Sequence, residues 1–113
     1  MIIANLEATT TGHRYSVAAL QAFAGESVLV LSDFSAEDDA GELTKIIGTV
    51  TSSECVDGTL SVQVRWLKDI PHGKFLALGC RGKLEDGVVV QASHFRLAVT
   101  DQPTFACATR IPT

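Results

Sequence analysis

Residues whose side chains could react with a small molecule or bind a metal are few in this 113-residue chain. The chain has three cysteines and three histidines: Cys55, Cys80, Cys107, His13, His72 and His94. No two of them have the short spacing of a metal-binding loop, so we expect no metal site. Cys80 and His94 are the one pair that a hairpin turning at Asp86 would bring together as a thiol and its base. We favour a small buried thiol for Cys80 and a structural hydrogen-bonding role for His94.

One short stretch, residues 79–83 (Gly-Cys-Arg-Gly-Lys), resembles a phosphate-binding loop because it combines two glycines with two cations. Backbone N–H groups and positive charge could converge there on an anion. A Walker loop has four residues between its glycines and a Ser or Thr after the lysine, whereas this stretch has two and is followed by Leu84. A kinked strand that carries Arg81 and Lys83 as solvated charges is therefore the favoured interpretation.

Trp66 is the only tryptophan, and it ends a run in which apolar and polar residues alternate. This position favours a core residue. Alternatively, Trp66 lies at a rim and offers a stacking surface, with Arg65 and Lys68 nearby for an anionic or aromatic ligand. The candidate ligand-binding residues are therefore Trp66, Arg81, Lys83 and His94, and we predict no catalytic residue and no cofactor.

These residues must be positioned by strands, because residues 60–66 (Leu-Ser-Val-Gln-Val-Arg-Trp) alternate with the period of a half-buried strand. Asp57-Gly58 precedes that run, and a second β-rich run, residues 46–50, lies on its other side, so the block predicts a hairpin. A two-residue loop would place Val50 on the face opposite Trp66. A three-residue loop, residues 56–58, places both on one face and is our prediction.

The remaining elements follow from local signals. Ser16 can cap a helix over residues 17–24, with Val17, Leu20 and Phe23 on its buried face and Gly25 at its end. Further strands are predicted at the amino terminus and over residues 28–31, 75–80, 88–91 and 95–99, with a tight corner at residues 92–94. Residues 32–44 form a polar acidic segment, and we expect its part 33–42 to be mobile, with Phe34 as its one docking residue.

Composition excludes several classes of protein. The net charge is −4. Residues 1–45 have two Lys or Arg residues and seven carboxylates, whereas residues 46–113 have seven Lys or Arg residues and six carboxylates. Nucleic acid and acidic membranes are therefore unfavourable partners, since both require a basic surface. The longest apolar runs, residues 28–31 and 88–90, are far below the ~20 residues of a membrane span. The start lacks the basic region of a signal peptide, and an odd number of cysteines indicates reduced thiols, so we expect a cytoplasmic protein.

The order of the predicted elements resembles a known architecture. An apolar strand, a long polar loop, a Gly-x-Val strand and a hairpin ending Val-x-Val-x-Trp follow one another, and residues 92–97 are similar to a one-turn corner and last strand. Residues 27–100 thus resemble a Src-homology-3-like small β-barrel. Such barrels serve peptide binding, nucleic-acid binding, assembly and occasional catalysis, so the resemblance implies no single function. Trp66 and Tyr15 are too few aromatic residues for a proline-rich ligand groove.

The expected fold is mainly β: a strongly bent antiparallel sheet or small barrel with one short amino-terminal helix. We predict a single domain over residues 1–113, with a barrel core at 27–100, an added strand and helix at 1–26, and a docking tail at 101–113. A small barrel encloses roughly a dozen large side chains. Four further apolar residues then have no obvious interior place: Leu76, Leu78, Phe105 and Ile111.

Because those four residues would be buried favourably against a second subunit, we predict a homo-oligomer. In it, the tail adds a strand to a sheet edge, and deletion of residues 103–113 weakens association. The function favoured by these observations is a non-enzymatic binding or assembly module, with a small anionic or aromatic molecule as the candidate ligand. Two alternatives stay open. One is a small oligomeric enzyme whose site forms between subunits around Arg81, Lys83 and His94, and the other is a nucleic-acid-binding barrel, which the acidic charge disfavours.

Overall fold

The structure is a computed structural model that describes residues 1–33 and 46–111. The predicted mainly β fold with one short helix is confirmed. The mobile acidic segment predicted for residues 33–42 lies outside the described residues except for Asp33. The described elements are β1 (Ile2–Ala4), β2 (Arg14–Tyr15), α1 (Val17–Gln21), β3 (Leu29–Leu31), β4 (Ile46–Val56), β5 (Thr59–Trp66), β6 (Phe75–Glu85) and β7 (Val88–Thr100).

The described strands form one strongly curled sheet, an open half-barrel, in the order β1-β5-β4-β3-β7-β2 with β6 paired to β7. Most neighbours are antiparallel, as predicted, but β2 and β3 both run parallel to β7. The sequence pattern did not predict these parallel pairs, because a two- or three-residue strand is too short to show a period. β2 and β3 are joined by a connection that contains α1, so the helix lies beside β7.

In the β4–β5 hairpin, Val50 and Trp66 lie on the same face as predicted, but the loop is not the predicted one. Its loop has two residues, Asp57 and Gly58, both with positive φ (52° and 75°), so the predicted three-residue loop is wrong. Val50 nevertheless pairs with Val64, and Val50 and Trp66 share a face, as predicted. The cause is a β-bulge between Val50 and Ser52, where one extra residue shifts the register by one.

The β6–β7 hairpin is longer than predicted. β7 runs from Val88 to Thr100 without interruption, so the tight corner predicted at residues 92–94 is wrong. In its place, β7 has two bulges opposite β6, one at Val90 and one at His94 and Phe95. His94 has a φ of +54°, and the extra residues bend the strand while its pairing with β6 continues on either side.

Helix α1 begins as predicted, since the Ser16 hydroxyl accepts a hydrogen bond from the Ala19 N–H at 3.1 Å. It ends at Gln21, and the chain continues in turns to Gly25, where φ is +83°. Leu20 and Phe23 are buried, and Phe23 packs edge-on against Phe95 with 5.1 Å between ring centroids. Val17, which we predicted on the buried face, is exposed.

The carboxyl-terminal tail docks, but onto its own chain. Phe105 and Ile111 are each 1% exposed and belong to the single described core, as do Leu76 and Leu78. The expectation that these four residues lack an interior place is therefore wrong. The tail is irregular and does not form the strand we predicted.

Backbone hydrogen bonds hold this tail between the two ends of the curled sheet. The Thr109 N–H donates to the Ile2 carbonyl of β1 at 3.0 Å, and the Ile111 N–H donates to the Lys74 carbonyl next to β6 at 2.7 Å. The Arg110 guanidinium lies 4.7 Å from the centroid of the Phe75 ring. The tail thus bridges β1 and β6, and its apolar side chains fill the space that the open half-barrel would expose.

The buried tail predicts a large loss of stability for Phe105→Ala. We expect this substitution to lower the free energy of unfolding by about 3–5 kcal/mol, because it removes a fully buried ring and leaves a cavity. Leu67→Ala is the control, since Leu67 is 54% exposed and its truncation should change the free energy by less than about 1 kcal/mol. Urea unfolding measures both, and a loss below about 1 kcal/mol for Phe105→Ala would mean that the tail does not pack in solution.

Candidate functional site

A gap in strand pairing marks the most distinctive surface of the described molecule. One edge of β7 is paired with β6 from Val88 to Thr100. The opposite edge is shared by β2, which pairs at Val88 and Val89, and by β3, which pairs at Arg96 to Ala98. Among the described residues, no strand covers this edge between Val90 and Phe95, and helix α1 lies beside it.

Two adjoining grooves follow this uncovered edge. The larger has a volume of about 570 Å³ and lies between Ala18 of α1, with Ala22 just after the helix, and residues 90–93 of β7, with residues 81–83 of β6 on its far side. The smaller, about 190 Å³, continues past residues 26–28 to His94 and Phe95. Because Ala22, Ala92 and Ser93 line both, the grooves form one depression, which we call the α1–β7 trench.

Close strand contact and small side chains shape the trench. Gly82 lies so near β7 that a Cβ there would approach the Gln91 carbonyl oxygen to 2.5 Å. Residues 79–83 are therefore part of an extended, paired strand, and the favoured interpretation of a strand that carries charges agrees with the structure. Ala18 on α1 and Ala22 just after it are exposed, and their small methyl groups leave the groove open.

The charge of the trench changes along its length. Lys83 pairs with Gln91 next to Val90 and makes an exposed ion pair with Glu85 at 3.1 Å. Arg81 pairs with Ser93, where the two grooves join, and its exposed guanidinium has no hydrogen bond or ion pair with any described residue. Glu26 lies further along, beside His94. An anionic group is therefore favoured beside residues 91–93 and disfavoured near Glu26.

The structure brings together three of the four predicted ligand-binding residues. Arg81 and Lys83 line the large groove, and His94 lines the adjoining one. Trp66 does not line the trench: it ends β5, pairs with Gly48 and packs, partly buried, against the core. A Cβ at Gly48 would lie 3.3 Å from the Trp66 ring, so glycine there allows the ring to cross the neighbouring strand.

Sequence reasoning missed the residues that give the trench its shape, Ala18, Ala22, Gln91 and Ser93. The only signal was the presence of alanines on the helix face that does not carry Leu20 and Phe23. An exposed alanine has no distinctive chemistry, so its type alone does not indicate a groove.

Cys80 and His94 do not form a nucleophile and its base. The Cys80 sulfur lies 3.7 Å from the Tyr15 hydroxyl, and His94 is exposed with its Nδ1 3.0 Å from the Ser93 Oγ. Burial raises the pKa of the Cys80 thiol, while the hydrogen bond from Tyr15 acts in the opposite direction. Burial, with further contributions from Cys80, also raises the pKa of Tyr15. A raised thiol pKa makes the nucleophilic thiolate scarce at neutral pH.

Three other features bear on the site. Cys55, Cys80 and Cys107 are free thiols, as predicted. Within residues 1–33 and 46–111, no three His, Cys, Asp or Glu side chains lie close enough to hold a metal ion together. No helix in the described part of the chain has the length and apolar character needed to cross a lipid bilayer.

Comparison with known proteins does not assign the chain to a family. No family model matches it, and neither the curated proteins nor the solved structures contain a significant match.

The environment of Cys80 predicts slow alkylation. In a Cys55→Ser, Cys107→Ser variant, we expect iodoacetamide to modify Cys80 with a pH midpoint above the value of about 8.5 for an unperturbed cysteine. Adding Tyr15→Phe should raise the midpoint further, because the thiolate loses a hydrogen-bond donor. Mass spectrometry after timed alkylation measures the profile, and a midpoint below about pH 7 would instead indicate an activated thiol.

Proposed function

We propose that this protein is a non-enzymatic binding module and that the α1–β7 trench binds a ligand with an anionic group and an apolar body. The observation that carries the proposal is the coincidence of an uncovered strand edge, a groove and the unpaired Arg81. Ligand sites are commonly concave, mainly apolar and supplied with a few polar groups, with volumes of about 300–1,000 Å³. The larger groove, about 570 Å³, falls within that range.

The electrostatics of the larger groove support an anion. The Arg81 guanidinium is exposed and has no described carboxylate to neutralise it, and Lys83 adds a second cation whose partner, Glu85, is solvent-exposed. Exposed ion pairs contribute little free energy, so a ligand carboxylate or phosphate could replace Glu85 at small cost. Ala18, Ala22 and Val90 would contact the apolar part of the ligand.

A binding role is also supported by the reactive side chains. Cys80 faces the hydroxyl of the half-buried Tyr15, and the Ser93–His94 contact has no carboxylate hydrogen-bonded to the imidazole among the described residues. Neither arrangement has the base and orienting group that activate a nucleophile. An enzyme with a site between subunits and a nucleic-acid-binding barrel stay predictions, with no observation here that favours either.

The finer expectations from the sequence belong to the same proposal. The curled half-barrel is compatible with a Src-homology-3-like barrel, and the free thiols support a cytoplasmic setting. Homo-oligomerisation stays a prediction, but the structure removes the reason that we gave for it. The four apolar residues that we expected between subunits are buried within one chain: Leu76, Leu78, Phe105 and Ile111. Any subunit contact would have to use exposed apolar residues instead, such as Val56, Leu67 and Ile70.

Filling the groove tests the proposal. We would screen aromatic and aliphatic carboxylates and phosphates against ¹⁵N-labelled full-length chain by NMR. Binders should shift the amide signals of residues 90–93. Ala18→Phe should then weaken their binding at least tenfold, because its ring occupies the groove.

Gln21→Phe is the matched control, since Gln21 is exposed on the same helix and does not line the trench. It should leave affinity unchanged. Binding that survives Ala18→Phe, or signals that shift only elsewhere in the chain, would contradict the trench as the site.

A further inference from the structure

The backbone of β7 presents hydrogen-bonding groups to the trench. In an antiparallel pair, alternate residues exchange hydrogen bonds with the partner strand, and the residues between them point their N–H and C=O groups to the other edge. Gln91, Ala92 and Ser93 pair with Lys83, Gly82 and Arg81, so one alternate set among the three must face away from β6. That edge is the one that borders α1.

From Gln91 to Phe95, no described residue outside β6 accepts or donates a backbone hydrogen bond along this edge. The Ser16 N–H donates to the Val89 carbonyl at 2.9 Å, and the Ser16 hydroxyl lies 3.5 Å from the Val90 carbonyl. Beyond Val90, the described backbone hydrogen bonds on this edge resume only where β3 pairs with β7. The trench separates the helix from the strand, so α1 shields the edge without satisfying it.

The length of the gap fits a short strand. Between the bulges at Val90 and at His94 and Phe95, the regularly paired stretch from Gln91 to Ser93 spans roughly 10 Å at about 3.3 Å per residue. β2 ends on one side of this gap and β3 begins on the other, both on the same edge of β7, so an extended segment placed there would lie between the two strands. The small side chains at Ala18, Ala22 and Ala92 leave room for the alternate side chains of such a segment.

We propose that the α1–β7 trench binds an extended peptide segment of a partner protein, which adds a strand to β7 between β2 and β3 and places an acidic side chain beside Arg81. This inference rests on the proposed binding function and adds the class of ligand and the mode of recognition. Main-chain hydrogen bonds supply affinity in strand addition, and side-chain pockets supply selectivity. Charge complementarity selects the partner here: Arg81 and Lys83 favour a carboxylate beside residues 91–93, and Glu26 disfavours a second one beside His94.

The test uses the full chain and peptides selected from a random dodecapeptide display library. Selected sequences should carry one acidic residue among alternate apolar residues. Synthetic copies are then methylated at single backbone nitrogens and titrated by calorimetry. Methylation should weaken binding at least tenfold at alternate positions only, because alternate amides face β7. Peptide binding should also slow hydrogen exchange of amides within residues 91–95.

Matched charge variants complete the experiment. Arg81→Glu should weaken the selected peptides at least tenfold, whereas Arg65→Glu should not, since Arg65 is an exposed cation on β5 that does not line the trench. Equal effects of the two variants would overturn the proposed contact with Arg81.

The outcomes separate this inference from the function on which it rests. If small carboxylates bind and Ala18→Phe blocks them, but no peptide shows the alternating effect of methylation, strand addition is wrong and the binding module stands. If neither peptides nor small anions bind the trench, both are wrong. If residues 91–95 become protected with rising protein concentration alone, a second copy occupies the trench and the partner peptide is wrong.

Discussion

The need to satisfy the backbone hydrogen bonds of a curled, open sheet is the constraint on which the rest of this structure depends. An open half-barrel leaves strand edges whose N–H and C=O groups must find partners in protein or in water. β7 is the centre of this arrangement, because it pairs with three other strands, β6 on one edge and the short β2 and β3 on the other. Its two bulges lie between the stretch that pairs with β2 and the stretch that pairs with β3.

The sheet has two gaps among the described strands, one between β1 and β6 and one between β2 and β3, and the chain covers only the first. Between β1 and β6, the tail supplies backbone partners through Thr109 and Ile111 and fills the interior with Phe105. Between β2 and β3, the connection leaves the edge of β7 and forms α1, so the gap is flanked by alanines and by the exposed Arg81. The first place is closed by apolar burial and contributes stability. The second stays accessible, and our proposed binding site lies there.

The parts of the fold that the sequence predicted are those with a strong local signal. The alternation that ends at Trp66, the Ser16 cap and the turn residues Asp57-Gly58 each depend on neighbouring residues. The bulge after Val50 was not predicted, because no residue type marks it. The docking of Phe105 followed from its apolar character, but its location depends on the shape of the whole sheet.

The site was predicted in the same partial way. Arg81, Lys83 and His94 were found because charged and titratable residues are conspicuous, and the β6–β7 pairing places them along one depression. The sequence did not predict the gap in strand pairing, because the gap depends on where β2 and β3 pair with β7. Ala18 and Ala22 contribute by being small, which a single sequence does not distinguish from an ordinary helix surface.

Residue-resolved amide hydrogen exchange of the free protein tests the central claim most directly, because exchange reports which backbone amides lack a stable hydrogen bond. The account predicts slow exchange where β7 pairs on both edges, at Leu97 and Ala98. It predicts fast exchange for at least one amide among Gln91, Ala92 and Ser93, beside a slow neighbour bonded to β6. Uniformly slow exchange from Val88 to Thr100 in the free protein would show that the edge is already satisfied, and would contradict it.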